Sequence, residues 1–272
     1  MSTSTHTPSL LDDARANAYH RDGFVLGGRL LADHEADELH EIIREIVENP
    51  DHQYHQRVYD FKHAGRPLLH IKNMWKRYDA FAELHRHPLV TEALHRLTGH
   101  TRFHLWQDRF FYKPARAGGI HTWHQDATFL PFLPPFRTVS AWISLNGADK
   151  ENGAMQMVPG SHGWGDATEH MDLLADRVDA KDEIPDDYRG HQVKRELCPV
   201  PKGHVHFHDA FTWHCSGSNW SDRPRSALGL FFVTADVRFD GQNRWAKDYE
   251  GEHEKHLDSQ FYPAVFHQGS AV

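Results

Sequence analysis

Thr-Val-Ser-Ala-Trp-Ile-Ser-Leu, residues 138–145, is the stretch on which the fold turns. Its β-branched and aromatic content reads as a strand. Outward from it the same texture continues. Residues 101–113 are rich in aromatics, 154–158 and 192–200 are shorter candidates, and 203–209 and 226–235 complete the set. Pro and Gly punctuate the gaps at 114–119, 131–135, 159–160 and 199–203.

The first hundred residues read differently. Residues 10–22 suggest a helix with Ser9 as N-cap and Gly23 as stop, followed by a short strand at 24–26. From about Asp33, Leu39, Ile42, Ile43, Ile46 and Val47 fall on one helical face, and Pro50 ends the run. Residues 51–70 are polar and irregular, which suits a loop over a pocket or a plain surface connection. Leu69-His-Ile-Lys-Asn-Met-Trp75 is strand-like and carries Lys72. Pro88 to Gly99 is a further helix, with Leu89, Val90, Ala93, Leu94 and Leu97 facing inward. Helices first and many short strands afterwards predict a mainly β jelly roll with a helical buttress packed on one sheet.

One domain over 1–272 is expected: 1–8 disordered, 9–100 mostly helical support, 101–238 the β core and 239–272 a C-terminal extension. The acidic insertion at 161–191 reads equally as a lid or as decoration. For the polar, aromatic-sprinkled extension, no packing partner is legible.

Composition narrows the class. At 272 residues the chain can bury one sizeable core. A net charge of −8 lacks the basic field that a nucleic-acid binder needs. No apolar run approaches the roughly 18 residues of a membrane span, and Met1 to Leu10 has no basic start or hydrophobic stretch for export. A cytoplasmic monomer or homodimer acting on a small molecule is expected. Cys198 and Cys215 make no disulfide framework and read as reduced packing residues.

The chemistry gathers at His-Thr-Trp-His-Gln-Asp, residues 121–126, and at His214 in Phe-Thr-Trp-His-Cys-Ser-Gly, residues 211–217. His124 and Asp126 flank one residue, so an extended backbone there turns both side chains to one face. A third imidazole, for which His214 is the candidate, would complete the two-histidine, one-carboxylate set of non-haem Fe(II) oxygenases. With 25 histidines in the chain such a triplet also arises by chance as a surface pair. His121, His162, His204, His206 and His208 are left outside the site.

Together with Trp142, the turn from Asn152 to His162, Ser216 and Arg225, these motifs resemble the phytanoyl-CoA dioxygenase family of Fe(II)- and 2-oxoglutarate-dependent oxygenases. The likeness runs from about Gly23 to about Val233 and is densest in 123–132, 142–162 and 207–228. It implies a double-stranded β-helix, with His124, Asp126 and His214 as iron ligands. It implies that Arg225, preferred to Arg223 on family spacing, grips the distal carboxylate of 2-oxoglutarate, with Ser216, Trp142 and Lys72 as further cosubstrate contacts. A guanidinium suits that task because its planar fork binds a carboxylate bidentately.

The implied activity uses Fe(II), 2-oxoglutarate and O2 to oxidise an unactivated C–H bond, releasing succinate and CO2. Hydroxylation is the expected outcome, with cyclisation or desaturation open. Halogenation is disfavoured, because related halogenases have a small residue where Asp126 stands. The aromatics and charges around the motif, among them Trp106, Arg109, Phe111 and Phe129, suit a medium-sized polar or amphipathic metabolite of natural-product biosynthesis. The alternatives are a non-catalytic or 2-oxoglutarate-independent cupin-type metal-binding protein, neither of which needs Ser216 and Arg225 beside His214.

Overall fold

Asp12 opens the first helix, α1 (Asp13–Asp22), by accepting the Arg15 N–H at 2.8 Å, and Gly23 closes it at φ +85°. Ser9 was the expected cap; its hydroxyl instead bonds Leu11, and the helix begins four residues later. The chain, described here from a computed structural model, is placed over residues 9–60, 66–175 and 184–267. The segment expected to be disordered, 1–8, lies outside the described residues.

Strand β1 (Phe24–Arg29) follows, then α2 (Asp33–Glu48), β2 (Tyr59–Asp60), β3 (Leu69–Lys72), α3 (Asp79–Leu84) and α4 (Pro88–Thr98). The Glu35 carboxylate accepts the Ala32 N–H at the start of α2, and Pro88 and Gly99 bracket α4. The β region comprises β4 (Arg102–Lys113), β5 (His121–His124), β6 (Thr138–Ser144) and β7 (Met155–Met157). After α5 (Thr168–Ala175) come β8 (Asp187–Tyr188), β9 (His191–Gln192), β10 (Glu196–Cys198), β11 (His204–Asp209), β12 (His214–Ser216), β13 (Arg225–Thr234) and β14 (Ala264–Phe266).

Two antiparallel sheets form the core, and β8 and β9 pair separately as a two-stranded ribbon. The larger runs β1-β11-β6-β13-β4-β3-β2, with β14 also on β4; the smaller runs β10-β7-β12-β5. Residues 9–100 are mostly helical, and the three short strands among them, β1, β2 and β3, occupy both ends of the large sheet. β1 pairs with the core strand β11 and β3 with β4, while β2 pairs only with β3, partners that local sequence does not announce.

Alternation then sorts the side chains. In β13, Leu228, Leu230 and Phe232 pack on the helices with Ile43, Ile46, Val90 and Leu94, while Arg225, Gly229 and Phe231 face the interior. In β6, Val139, Ala141 and Ile143 take the helical side, and Ser140 and Trp142 the interior. Each aliphatic side chain so buried contributes about 1.5–3 kcal/mol. An Ile43→Asp change would place an unpaired charge in that layer.

The smaller sheet is sorted likewise. Trp123, Trp213 and Cys215 turn outward, where Ala167, Met171, Ile184, Tyr188 and Val193 cover them. The described residues of the 161–191 insertion therefore seal the back of this sheet, and none lines the chamber in front. Cys198 and Cys215 are both buried and are not joined in a disulfide. The extension beyond residue 238 closes one end: Phe239, Ala246, Leu257 and Tyr262 pack with Trp106, Phe132 and Val237.

Candidate active site

Between the sheets lies a narrow chamber lined by His124, Asp126 and His214 from one side and by Ser140, Trp142, Arg225 and Gly229 from the other. His124 and His214 are direct partners across the β5–β12 ladder, their ring centroids 4.0 Å apart. Gln125 between His124 and Asp126 is extended at φ −109°, ψ 136°, so its neighbours share a face even though Asp126 already begins a 3-10 turn. Gln125 itself points the other way. Its amide donates to Gly165 and Phe211 carbonyls at 3.0 and 2.7 Å and accepts the Ala167 N–H at 2.8 Å, which pins the segment.

Each imidazole is oriented through its far nitrogen. Nδ1–H of His124 donates to the Thr122 carbonyl at 2.7 Å, and Nδ1–H of His214 to Thr212 at 2.9 Å. That leaves each Nε2 lone pair facing the chamber, as metal-binding histidines require. Asp126 Oδ1 stands 3.8 Å from His124 Nε2 and 3.7 Å from His214 Nε2. One ligand atom from each of these three residues lies within 4.8 Å of the others, the one such cluster among the described residues. Asp126 Oδ2 is held separately, accepting Ser140 Oγ–H at 2.7 Å and His208 Nε2 at 3.3 Å. A single carboxylate oxygen is thus left for an ion.

Burial keeps both imidazoles neutral, holding His214 well below its ordinary value and His124 lower as well. Burial would raise the Asp126 carboxyl, but the field of His214 and the His208 hydrogen bond outweigh it and hold Asp126 below the usual range. With neutral imidazoles the field contribution falls away, and the hydrogen bonds carry what remains. A charged carboxylate between two neutral imidazoles is the donor set that borderline divalent metals such as Fe(II) take.

The far end of the chamber holds Arg225, only 2% exposed, with Nε and Nη1 lacking any acceptor. Burial pulls its guanidinium down to about 9. Trp142 lies 5.4 Å from it, ring to guanidinium. Beside them the Ser216 hydroxyl accepts from Lys113 Nζ at 2.8 Å, in a cluster where the lysine also reaches the Ser216 and Gly217 carbonyls. A side chain at Gly229 would press on Phe111 and Phe231 at 3.0 Å, so glycine keeps this end open. Arg223 is elsewhere, on the surface, paired with Asp149 and donating to the Asn146 and Gly147 carbonyls.

Lys72 was expected at the cosubstrate, and its placement differs. It lines an outer cavity and not the chamber of Arg225, Ser216 and Trp142, because Arg109 opposite it on β4 takes the inward position. The Asn152–His162 block supports the site indirectly. Ser161 Oγ accepts the Trp213 N–H at 2.8 Å, fixing the backbone before His214. Gly153 combines φ +84° with contact against Gly217, leaving no room for a Cβ. His162 touches no ligand atom, and Trp106 and Phe132 belong to the end layer.

Several residues at the site carried no individual signal in the sequence. Ser140 and His208 act on Asp126 through the β6–β11 pairing, where they are direct partners. Their presence on the inner face follows once Trp142 is placed there, by the period of two. Trp245 and Tyr249 reach the mouth from the extension.

The family model for phytanoyl-CoA dioxygenase (PhyH) matches residues 19–227. A phytanoyl-CoA dioxygenase domain-containing protein 1 homolog of Caenorhabditis briggsae is 24% identical, over 88% of this chain and 94% of that protein. The ectoine dioxygenase of Streptomyces avermitilis is 25% identical, over 85% and 81%. Among solved structures, the non-heme alpha ketoglutarate dependent carbocyclase SnoK from nogalamycin biosynthesis superposes with a TM-score of 0.76 at 25% identity, covering 94% of this chain and 96% of that one. The epimerase SnoN gives a TM-score of 0.77 at 20% identity, over 94% and 98%, a likeness of fold.

Proposed function

The chain belongs to the phytanoyl-CoA dioxygenase family of Fe(II)- and 2-oxoglutarate-dependent oxygenases, and from that premise we propose how its residues share the work and what it acts on. His124, Asp126 and His214 hold the metal, and Arg225, Ser216 and Trp142 receive 2-oxoglutarate. The carrying observation is Arg225: a buried guanidinium with two unanswered donors, in the same chamber as a two-histidine, one-carboxylate cluster. A dicarboxylate fits both ends of that chamber.

Bound there, Fe(II) with 2-oxoglutarate supplies O2-driven oxidation of a C–H bond, with succinate and CO2 as coproducts. The protein's part is to bind and orient. Arg225 grips the distal carboxylate bidentately, Ser216 adds a hydroxyl beside it, and Trp142 walls the space between. Ser140 and His208 keep Asp126 to one free oxygen. Phe111 and Phe129 line the chamber and limit the water that reaches it. Because Asp126 fills the third ligand position, a halide has no place there, and halogenation is not the activity.

The substrate in this reading is a small-molecule metabolite of natural-product type, oxidised by hydroxylation or by ring closure. The carbocyclase SnoK, similar over nearly the whole chain, supports that choice. A cupin-type protein that ignores 2-oxoglutarate would have no use for an unpaired buried Arg225. The test is anaerobic: Fe(II) and then 2-oxoglutarate are added to purified protein, and the weak visible band of the pair is recorded. It should appear in the wild type and vanish in His124→Ala and in His214→Ala. Tight metal binding without a band would move the assignment to a 2-oxoglutarate-independent protein.

A further inference from the structure

A second cavity, of about 490 Å3, opens outward from the chamber and shares Arg109, His121 and Phe129 with it. Lys72 and Arg109 stand side by side in its wall, as a cross-strand pair of β3 and β4. Like charges opposed on neighbouring strands are destabilising. Within the described residues no acceptor pairs with them: neither side chain makes a hydrogen bond or an ion pair, Arg109 Nε is buried without an acceptor, and what faces the charges is aromatic, Tyr59 and Tyr249 at 6.0 and 5.9 Å from Lys72 Nζ and Phe231 at 5.7 Å from the Arg109 guanidinium. Asp248 at the rim attracts Lys72 only from beyond ion-pair distance, and Asp60 Oδ1 is engaged by the Leu68 N–H. Burial first, and Arg109 second, pull the Lys72 ammonium down to about 8.

The rest of the wall is aromatic. Phe129 and Trp245 meet at 5.5 Å between centroids with their planes tilted by 58°, Tyr249 also lines the wall, and Trp245 Nε1 is a further buried donor without an acceptor. Every unanswered polar atom named here is a donor, so a complementary ligand brings acceptors. Ring faces and edges of this kind take an aromatic body, which they contact edge-to-face or offset.

We infer that this outer cavity binds the substrate to be oxidised, and that it selects a flat aromatic molecule carrying a carboxylate, gripped between Lys72 and Arg109 with its rings against Phe129, Trp245 and Tyr249. The inference rests on the inner chamber holding Fe(II) and 2-oxoglutarate. The end of the ligand near Phe129 and His121 then faces the metal cluster.

The test uses the enzyme loaded anaerobically with Fe(II) and saturating 2-oxoglutarate, so that Arg225 is already occupied. 2-Naphthoate and 2-naphthamide, alike in shape and different in charge, are titrated by calorimetry. One charge-assisted contact predicts naphthoate binding at least about tenfold tighter than the amide. Lys72→Gln should remove about tenfold of that preference while the visible band of Fe(II) with 2-oxoglutarate stays in place. Lys72→Glu should turn the preference toward 2-naphthylmethylammonium. Equal affinities in the wild type, no binding of either probe at millimolar concentration, or a preference unchanged in both variants would overturn the inference. If the band itself is missing from the wild type, the reading of the inner chamber fails instead, whatever naphthoate does.

Discussion

Replacing Arg225 by methionine should move stability and cosubstrate binding in opposite directions. The guanidinium is 2% exposed, its Nε and Nη1 have no acceptor, and burial pulls it well below its ordinary value, to about 9. At about 1.4 kcal/mol per pH unit, holding the charge there costs at most on the order of 5 kcal/mol. At pH 7.5, below both the folded and the ordinary value, the side chain is charged folded and unfolded, so this penalty is present in full and is relieved only as pH rises above about 9. An apolar side chain of similar length removes it, with a net gain of about 1–3 kcal/mol after losses in packing. For a chain of this size that is an upward shift in Tm of roughly 3–8 °C without ligand.

Binding should suffer. Two charge-assisted hydrogen bonds at about 1.5–3 kcal/mol each imply at least a hundredfold rise in the 2-oxoglutarate concentration needed for half-saturation. Thermal unfolding followed by fluorescence, with and without 2-oxoglutarate, reads both quantities in one experiment. Arg223→Met, which breaks a surface pair with Asp149, serves as control and should change neither by more than about 1 kcal/mol. A ligand-free Arg225→Met protein less stable than wild type, or one still stabilised by millimolar 2-oxoglutarate, refutes the reasoning.

Ser140→Ala removes the 2.7 Å hydrogen bond that steadies Asp126, and Co(II) titration should show metal affinity lower by about 10–100-fold; unchanged affinity would mean that His208 alone positions the carboxylate. His85 is 1% exposed with both ring nitrogens unpaired, and burial pulls it down to about 4. A depressed folded value means stability present above about 6.5 and lost as pH falls towards 4, so His85→Phe should lose about 2 kcal/mol less than wild type between pH 7.5 and 5. Urea midpoints at the two pH values check this, and parallel losses in both proteins would exonerate His85.

How much of this was legible in the sequence depends on distance along the chain. α2 and α4 announce themselves through Leu39, Ile43, Val90 and Leu94 and through Pro88 and Gly99, all local signals. His124 and Asp126 are two residues apart, and Gln125 keeps them on one face. Arg225, Ser216 and Trp142 needed the family likeness, since a buried arginine looks like a surface one until the large sheet closes over it. Ser140 was silent, and His208 was noticed but left outside the site, because their contact with Asp126 depends on register across β6 and β11. Lys72 was assigned to the cosubstrate by the family likeness. What decides its place is the neighbouring strand, where Arg109 stands in front of it. Ser9 lost the cap of α1 to Asp12 because the chain bends once more before the helix starts.

The extension that supplies Trp245 and Tyr249 has a consequence for how such an enzyme diversifies. His214 and Arg225 sit on strands paired on both sides, β12 and β13, and His124 is held against β12 in register, where a one-residue slip would turn every side chain over. The wall of the outer cavity comes partly from a late, irregular segment that touches the large sheet mainly through β14 and the layer around Trp106. Chemistry and choice of substrate are therefore carried by separable lengths of chain. Exchanging residues 239–262 between relatives should retune what is accepted at the mouth while the oxidising machinery is inherited intact, which makes this segment the place to begin directed evolution.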